Sequence, residues 1–412
     1  MFKNASMIRV CRILGGLAVL VPGVVSAQID PVKRDLIQFG YNQPVEGRAP
    51  VAGYAYYYHN QPDFLRTNVT LRLAVAPTYV DSEFGFNHGL GPNTDFALGL
   101  AGGGFADSYN EIRGGKWVEA ESFDGHGVEA SASVYHLFNP ADQIPLNFVL
   151  HTGARGSFFE AGEKTAPDFQ PPDDLAALNV RTGLRYGGME PTLFPDLAME
   201  LAVWYEGEFR TTGGAYGFNG DRELEPASHL FWTSAALCYT LPNRQNIFLR
   251  MIGGTSVSAD RLSAYRLGGF LPLIAEYPLS LPGYYYQEFT ARDFVLVNAS
   301  YTIPIAPDDR WSLELNGATA GIHYLAGTEQ KSANETGNWV SGVGAGLLYR
   351  SPSDRIKVIL NYAYGIDAVR DTGRGASSVG VLIQVDLGKL HSKNITPTQP
   401  NRWRGWNWLL GR

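Results

Sequence analysis

Cysteine is almost absent from this chain of 412 residues, with only Cys11 and Cys238 present, and Cys11 falls in an N-terminal leader. One cysteine in the remaining body allows no internal disulfide and no metal-binding cysteine pair, so backbone pairing and side-chain packing must hold the fold. After the leader there is no apolar run of the ~20 residues that a spanning helix needs. Positive charge is also scarce: 33 Lys and Arg stand against 40 Asp and Glu. Removing the leader cations Lys3, Arg9 and Arg12 leaves 30 against 40, a net charge of −10, which argues against a nucleic-acid partner. No phosphate loop, HExxH zinc site or nucleophile elbow occurs. His136, His151, His229 and His323 fall on expected strands with no Ser, Asp or Glu at the spacing of a barrel hydrolase or protease. The expectation is a chain that is not an enzyme and uses no cofactor and no metal.

What is present is glycine and aromatic residues: 47 Gly, 22 Tyr, 21 Phe and 8 Trp. Residues 1–27 read as a secretory signal, with a basic start, an apolar run from Ile13 to Val25 and the small-residue site Val25-Ser26-Ala27. Residues 28–49 read as an irregular polar periplasmic lead-in. From residue 50 to 387 the chain alternates with period two. Val69, Leu71, Leu73 and Val75 oppose Thr70, Arg72 and Ala74; Phe96, Leu98 and Leu100 oppose Ala97, Gly99 and Ala101; Val128, Ala130, Ala132 and Val134 oppose Glu129, Ser131 and Ser133. Residues 77–93 are ambiguous and have room for one more short hairpin.

Connector lengths then alternate. The stretches 139–145, 189–196, 242–244, 306–309 and 351–354 are tight Pro/Asp/Asn turns, whereas 159–175, 210–228, 258–292, 325–337 and 366–377 are long. Short turns on one side and long loops on the other are the asymmetry of closed membrane barrels, in which every backbone group is paired laterally and alternate side chains meet lipid. The expected fold is all-β: a transmembrane antiparallel β-barrel of about fourteen strands, or about sixteen with the extra hairpin. A soluble sandwich or propeller is the alternative that the strand lengths and the alternating loops disfavour. Trp311, Tyr301 and Tyr349 near short turns, and Trp339, Tyr362 and Tyr364 near long loops, suit aromatic girdles.

The other face collects charge. Arg181 and Arg185 share a side of one strand and Glu200, Glu206 and Glu208 a side of the next, so a simple register sets Arg185 opposite Glu200 as a lumenal ion pair. Arg155, His151, Glu129 and Glu314 point the same way. This pattern reads as a structural, solvated interior.

The stretch from Tyr265 to Ile305 couples a Gly/Pro/Tyr-rich loop to an alternating strand. The loop carries Leu267-Gly268-Gly269, then Leu281-Pro282-Gly283-Tyr284, then Glu288. Over these residues, about a tenth of the chain, it resembles the BamA/TamA family of bacterial surface antigens and their two-partner secretion relatives. In that family a long loop folds back into an outer-membrane barrel through an LGG-type turn and an R-G-Y/F tip. The resemblance implies a lid loop in the lumen, followed by the last five strands, as counted here. It also implies insertion or translocation of proteins or lipids at the outer membrane, a working edge between the first and last strands, and unfolded clients or barrel-assembly machinery as partners beside outer-membrane lipid. Pro282 stands where the family has its tip arginine, and Arg266 and Arg292 are the nearest substitutes. The usual preceding periplasmic repeats are not seen in the sequence. Without the resemblance, the same pattern also fits a passive channel for small solutes, with lumenal Arg and Glu shaping the field, or a structural barrel presenting its loops.

The segment Ser378 to Val385 is similar to the final-strand signal used in barrel assembly, with Gly380 at its small position and Val379, Val381, Ile383, Val385 and Leu387 on its lipid face. Residues 388–412 follow as a Trp/Arg-rich tail with Trp403, Trp406 and Trp408, suited to a membrane interface on the periplasmic side and equally to a tail packed into the barrel mouth or left without structure.

Overall fold

The computed structural model describes residues 29, 32–140, 144–188, 199–241, 244–273, 275–306, 308, 310–328 and 338–388. The leader and the Trp/Arg-rich end of the tail lie outside the described residues. Sixteen antiparallel strands close into one barrel. They are β1 Arg34–Pro44, β2 Ala52–Gln61, β3 Val69–Val75, β4 Tyr79–Gly91, β5 Thr94–Gly103, β6 Phe123–Leu137, β7 Leu146–Ala161 and β8 Leu175–Gly187. The second half comprises β9 Met199–Arg210, β10 Ala227–Thr240, β11 Asn246–Val257, β12 Phe289–Pro304, β13 Trp311–Tyr324, β14 Trp339–Arg350, β15 Ile356–Arg370 and β16 Gly373–Asp386. Each strand pairs with its sequence neighbours, and β1 closes on β16 from Leu36↔Asp386 to Pro44↔Ser378.

The period of two decides which way each side chain points. On β5, Ala97 is fully buried while Leu98 and Leu100 are 47% and 66% exposed on the outer surface. Val80, Phe84, Val128, Leu178, Val203, Leu249, Val295, Val343 and Leu360 continue that apolar exterior around the barrel. A continuous apolar belt is costly in water and suits hydrocarbon. Trp311 packs on Tyr349 with ring centroids 4.8 Å apart near one end and Trp339 stands exposed at the other, as girdles require, whereas Tyr362 and Tyr364 are exposed mid-way along β15 because that strand runs on past the expected loop. On β16, Val379 faces out while Leu382 and Gln384 are buried, which places Val381, Ile383 and Val385 on the outer side with it.

Three expectations are corrected. Residues 28–49 are not all lead-in, because Arg34–Pro44 is β1, paired on both sides. Its lumenal face is Leu36, Gln38, Gly40 and Asn42, uncharged and partly polar, and Gly40 leaves the space that the Tyr54 ring fills. Residues 77–93 hold one strand, β4, rather than a hairpin; Asp81 and Glu83 face inward to Arg72, at 3.2 and 3.6 Å. The count of sixteen is thus reached with one strand on each side of the first two expected strands. Residues 366–377 do not form a long loop, because β15 and β16 run on to the turn between Arg370 and Gly373.

Candidate functional site: a lid lodged in the lumen

The connection from β11 to β12, residues 258–288, enters the barrel instead of standing above it. Its base is a short strand, Tyr265–Leu267, paired with Phe289–Ala291. Gly268 and Gly269 follow at φ of +136° and +67°, conformations in which a side chain is strained. Gly268 N donates to Leu279 O and Leu281 N to Gly269 O, each at 3.0 Å, so the chain pinches here and sends residues 270–278 on as an inner excursion.

Along that excursion Phe270, Leu271, Leu273 and Ala275 pack on the lumenal tyrosines Tyr54, Tyr56 and Tyr58 of β2 and on Ala74 of β3. The far side of the excursion meets β8–β10. Glu276 is held by Arg185 at 3.0 Å and by Arg181 at 3.1 Å. Tyr277 sits against Trp232 and Trp204, with ring centroids 4.7 and 6.2 Å away. Burial pushes the Glu276 carboxyl up from its ordinary range, against the opposing pull of Arg181 and Arg185.

The loop returns along a different wall. Pro282 and Gly283 lie so close to β14 and β15 that a Cβ on Gly283 would fall on the backbone nitrogen of Gly365, and one on Gly342 would fall on Pro282 O. Tyr284 donates to Ser341 O at 2.9 Å and accepts from Asp367 N at 3.2 Å. Glu288 then meets Arg370 of β15 in a two-pronged ion pair at 2.8 and 2.9 Å, both side chains only 1% exposed. The Arg370 guanidinium also stacks 3.6 Å over Tyr285, whose hydroxyl donates to Glu46 O beside β1. The sequence-predicted loop residues Leu267, Gly268, Gly269, Pro282, Gly283, Tyr284 and Glu288 therefore converge on one anchor.

The polarity of that anchor was not legible in the loop alone. With Pro282 in place of arginine, neither expected substitute serves. Arg266 donates to Asn110 O at 2.8 Å and stacks on Tyr109, tying the loop to residues 104–122 above, and Arg292 is exposed. The cation instead stands on the wall as Arg370 and the anion on the loop as Glu288. The ion pair joins positions 82 residues apart in the chain, so linear spacing carried no trace of it.

Gly283 has φ +85° as well as its contact with Gly365. Gly283→Ala is expected to destabilise the barrel by about 1–2 kcal/mol from backbone strain alone, read as a lower temperature for loss of the compact band in heat-modifiability electrophoresis. Gly253→Ala, whose Cβ would meet nothing nearer than 3.7 Å, should leave that temperature unchanged.

The lumenal charges fall where the alternation puts them, with one change of register. Arg185 pairs with Ala202 and Glu200 with Gly187, so the two are offset rather than opposite. They still bond at 2.6 and 3.0 Å, because both point into the lumen. Arg181 does face Glu206 directly, at 3.2 Å. Glu208 binds Arg210 at 2.9 Å, and Arg155 is paired with Asp107. His151 has partners that linear spacing hid. Ser133 Oγ lies 2.9 Å from its Nδ1 and Glu129 Oε1 3.2 Å from its Nε2, both delivered by the β6–β7 register. Ser133 is buried and Asn179 also holds Glu129, at 3.1 Å, while His151 and Glu129 stay 13% and 20% exposed to the lumen, which makes this a part-buried network on the wall.

Above the lid, residues from the long loops form a small core of Tyr109, Phe169, Tyr216, Leu224 and Leu262. Glu111 is buried there among Arg113, Arg222 and Arg261. Burial pushes the Tyr109 hydroxyl up to about 12.

No family model matches the chain, and no curated protein resembles it in sequence. Solved structures do resemble it in fold. CdiB from Acinetobacter baumannii matches with a TM-score of 0.52 at 9% identity, over 86% of this chain and 60% of that one. BamA from Haemophilus ducreyi lacking POTRA domains 1–3 matches at 0.53 and 11%, over 93% and 79%. CdiB from Escherichia coli matches at 0.52 and 8%, over 84% and 62%. The chain spans about 60% of the length of the CdiB proteins. It has the sixteen-stranded barrel fold of the BamA and CdiB class.

Proposed function

We propose that this chain is an outer-membrane barrel that inserts or secretes other polypeptides, and that it does so without bond-making chemistry. The observation that carries the reading is the lid, drawn through the lumen and fixed by Glu288–Arg370 on one wall and Glu276 with Arg181 and Arg185 on another. A sixteen-stranded barrel with an empty lumen is wide enough for an aqueous channel. Filling it with a strap of this kind supports a gated translocation barrel over a passive diffusion channel. The fold likeness to BamA and CdiB supports the same class. The apolar exterior supports outer-membrane lipid as its solvent, and the proposed activity implies unfolded clients or assembly machinery as its partners.

Two routes follow from the fold, through the lumen or through the seam. The seam is closed at rest by continuous β1–β16 pairing, and Gln38 donates to Gln384 across it at 2.8 Å. A client strand would have to displace that pairing. The test is a Gln38→Cys/Gln384→Cys pair in a Cys238→Ser background, refolded into vesicles and offered a denatured barrel protein. Insertion that stops on oxidation and returns on reduction places the work at the seam; transport of a secreted polypeptide through the oxidised protein places it in the lumen. A barrel that handles neither client, oxidised or reduced, contradicts the reading.

A further inference from the structure

We propose that the lumenal wall of β8–β10 carries a binding pocket for an acidic residue followed by an aromatic one at a bend in a polypeptide, and that Glu276 and Tyr277 of the lid, which lie in such a bend, occupy it at rest as an internal ligand. The pocket is built by register. Gly183, Trp204, Trp232 and Gly254 form one row across β8 to β11; Gly183 makes room for the Trp204 indole, and the rings of Tyr265 and Phe294 fill the space over Gly254 and close the row on that side. The Trp rings stack with centroids 5.8 Å apart, and a Cβ on Gly183 would collide with Trp204. Arg181 and Arg185 lie two residues to either side of Gly183, so a single carboxylate above that glycine reaches both, as Glu276 does. The Arg181 guanidinium also lies 4.2 Å over Trp204, joining the ionic and aromatic halves of the site.

The charge balance shows why the occupant matters. Arg181, Arg185 and Arg250 face Glu200 and Glu206 of the wall, and Glu276 is the third carboxylate. A loop needed only to fill space would do so with apolar residues, since a buried ion pair adds little stability over them. The pocket instead recognises a carboxylate with an adjacent ring. Arg185 and Glu200 lie at the end of the barrel where β8 gives way to β9, away from the long loops, so a chain arriving from that side meets the pocket early. That the ligand is a polypeptide rests on the function proposed above. Its binding would displace the excursion and open the lumen.

The probe is a fluorescent, end-blocked peptide Ala-Ala-Glu-Tyr-Ala-Ala, followed by anisotropy with the refolded protein. Removing an internal competitor raises apparent affinity by the reciprocal of the fraction of sites that it had left free. Glu276→Ala/Tyr277→Ala is therefore expected to bind the peptide about tenfold or more tightly than the intact barrel does. Adding Arg181→Ala or Trp232→Ala should abolish the gain, and a Gln-Leu peptide should not bind. Equal binding of both peptides, or none by the vacated barrel, overturns the proposal. If the alanine pair loses its heat-modifiable band, Glu276→Gln/Tyr277→Phe keeps the test: a smaller gain with the same preference supports the pocket, and no gain overturns it. A barrel that binds the peptide but handles no client keeps the pocket and loses the functional reading; client handling without peptide binding does the reverse.

Discussion

Replacing Arg370 with alanine is expected to destabilise the barrel by about 3–5 kcal/mol, because it leaves the Glu288 carboxylate buried and uncompensated. Glu288 accepts both prongs of Arg370 and is also bound by Tyr285 N at 2.7 Å, so it has no route to solvent through a simple rotamer change. The variant also loses the stacking of Arg370 on Tyr285, and with it the link from the lid to Glu46 beside the seam. Glu288→Ala should cost a similar amount by stranding the arginine. Glu288→Leu/Arg370→Met should recover most of the loss, since replacing both buried partners by apolar groups is far less costly than removing one. Urea midpoints of the refolded proteins read these differences. Single and double variants that unfold alike with the parent would mean that the pair does not hold the lid.

The barrel itself was legible because period two is a strong constraint wherever one face meets lipid and the other a packed interior. Leu71, Leu98, Val128 and Val295 each announce a strand in that way. β1 was missed because its inner face is uncharged and half polar, so its alternation is shallow beside the Arg72 or Glu129 strands. β4 is half legible because the turn after Val75 is short on the side that also carries the long loops. The lid was legible as a motif, since Gly268, Gly269 and Gly283 mark backbone that only glycine adopts without strain. Its anchors were not, because Arg370 and Glu288, or Arg185 and Glu276, meet only when the barrel has closed. The same holds for Ser133, His151 and Glu129, whose meeting belongs to a cross-strand register rather than to any spacing along the chain.

Excising residues 270–280 is expected to produce the largest functional change. Gly269 and Leu281 already bridge at the neck of the excursion, so a short Gly-Ser linker can close the gap while Glu288, Arg370 and the β11–β12 base stay in place. What is lost is the strap itself: Phe270, Leu271, Leu273 and Ala275 from the β2 tyrosines, and Glu276 with Tyr277 from the β8–β10 wall. A barrel of sixteen strands then has an aqueous bore. Single-channel conductance in a planar bilayer, with the intact and excised proteins side by side, tests the central claim that this loop closes the lumen. Low, flickering conductance in the intact protein that becomes large and steady on excision is the predicted result. Large, steady conductance in the intact protein, or an excised barrel as closed as its parent, would contradict it.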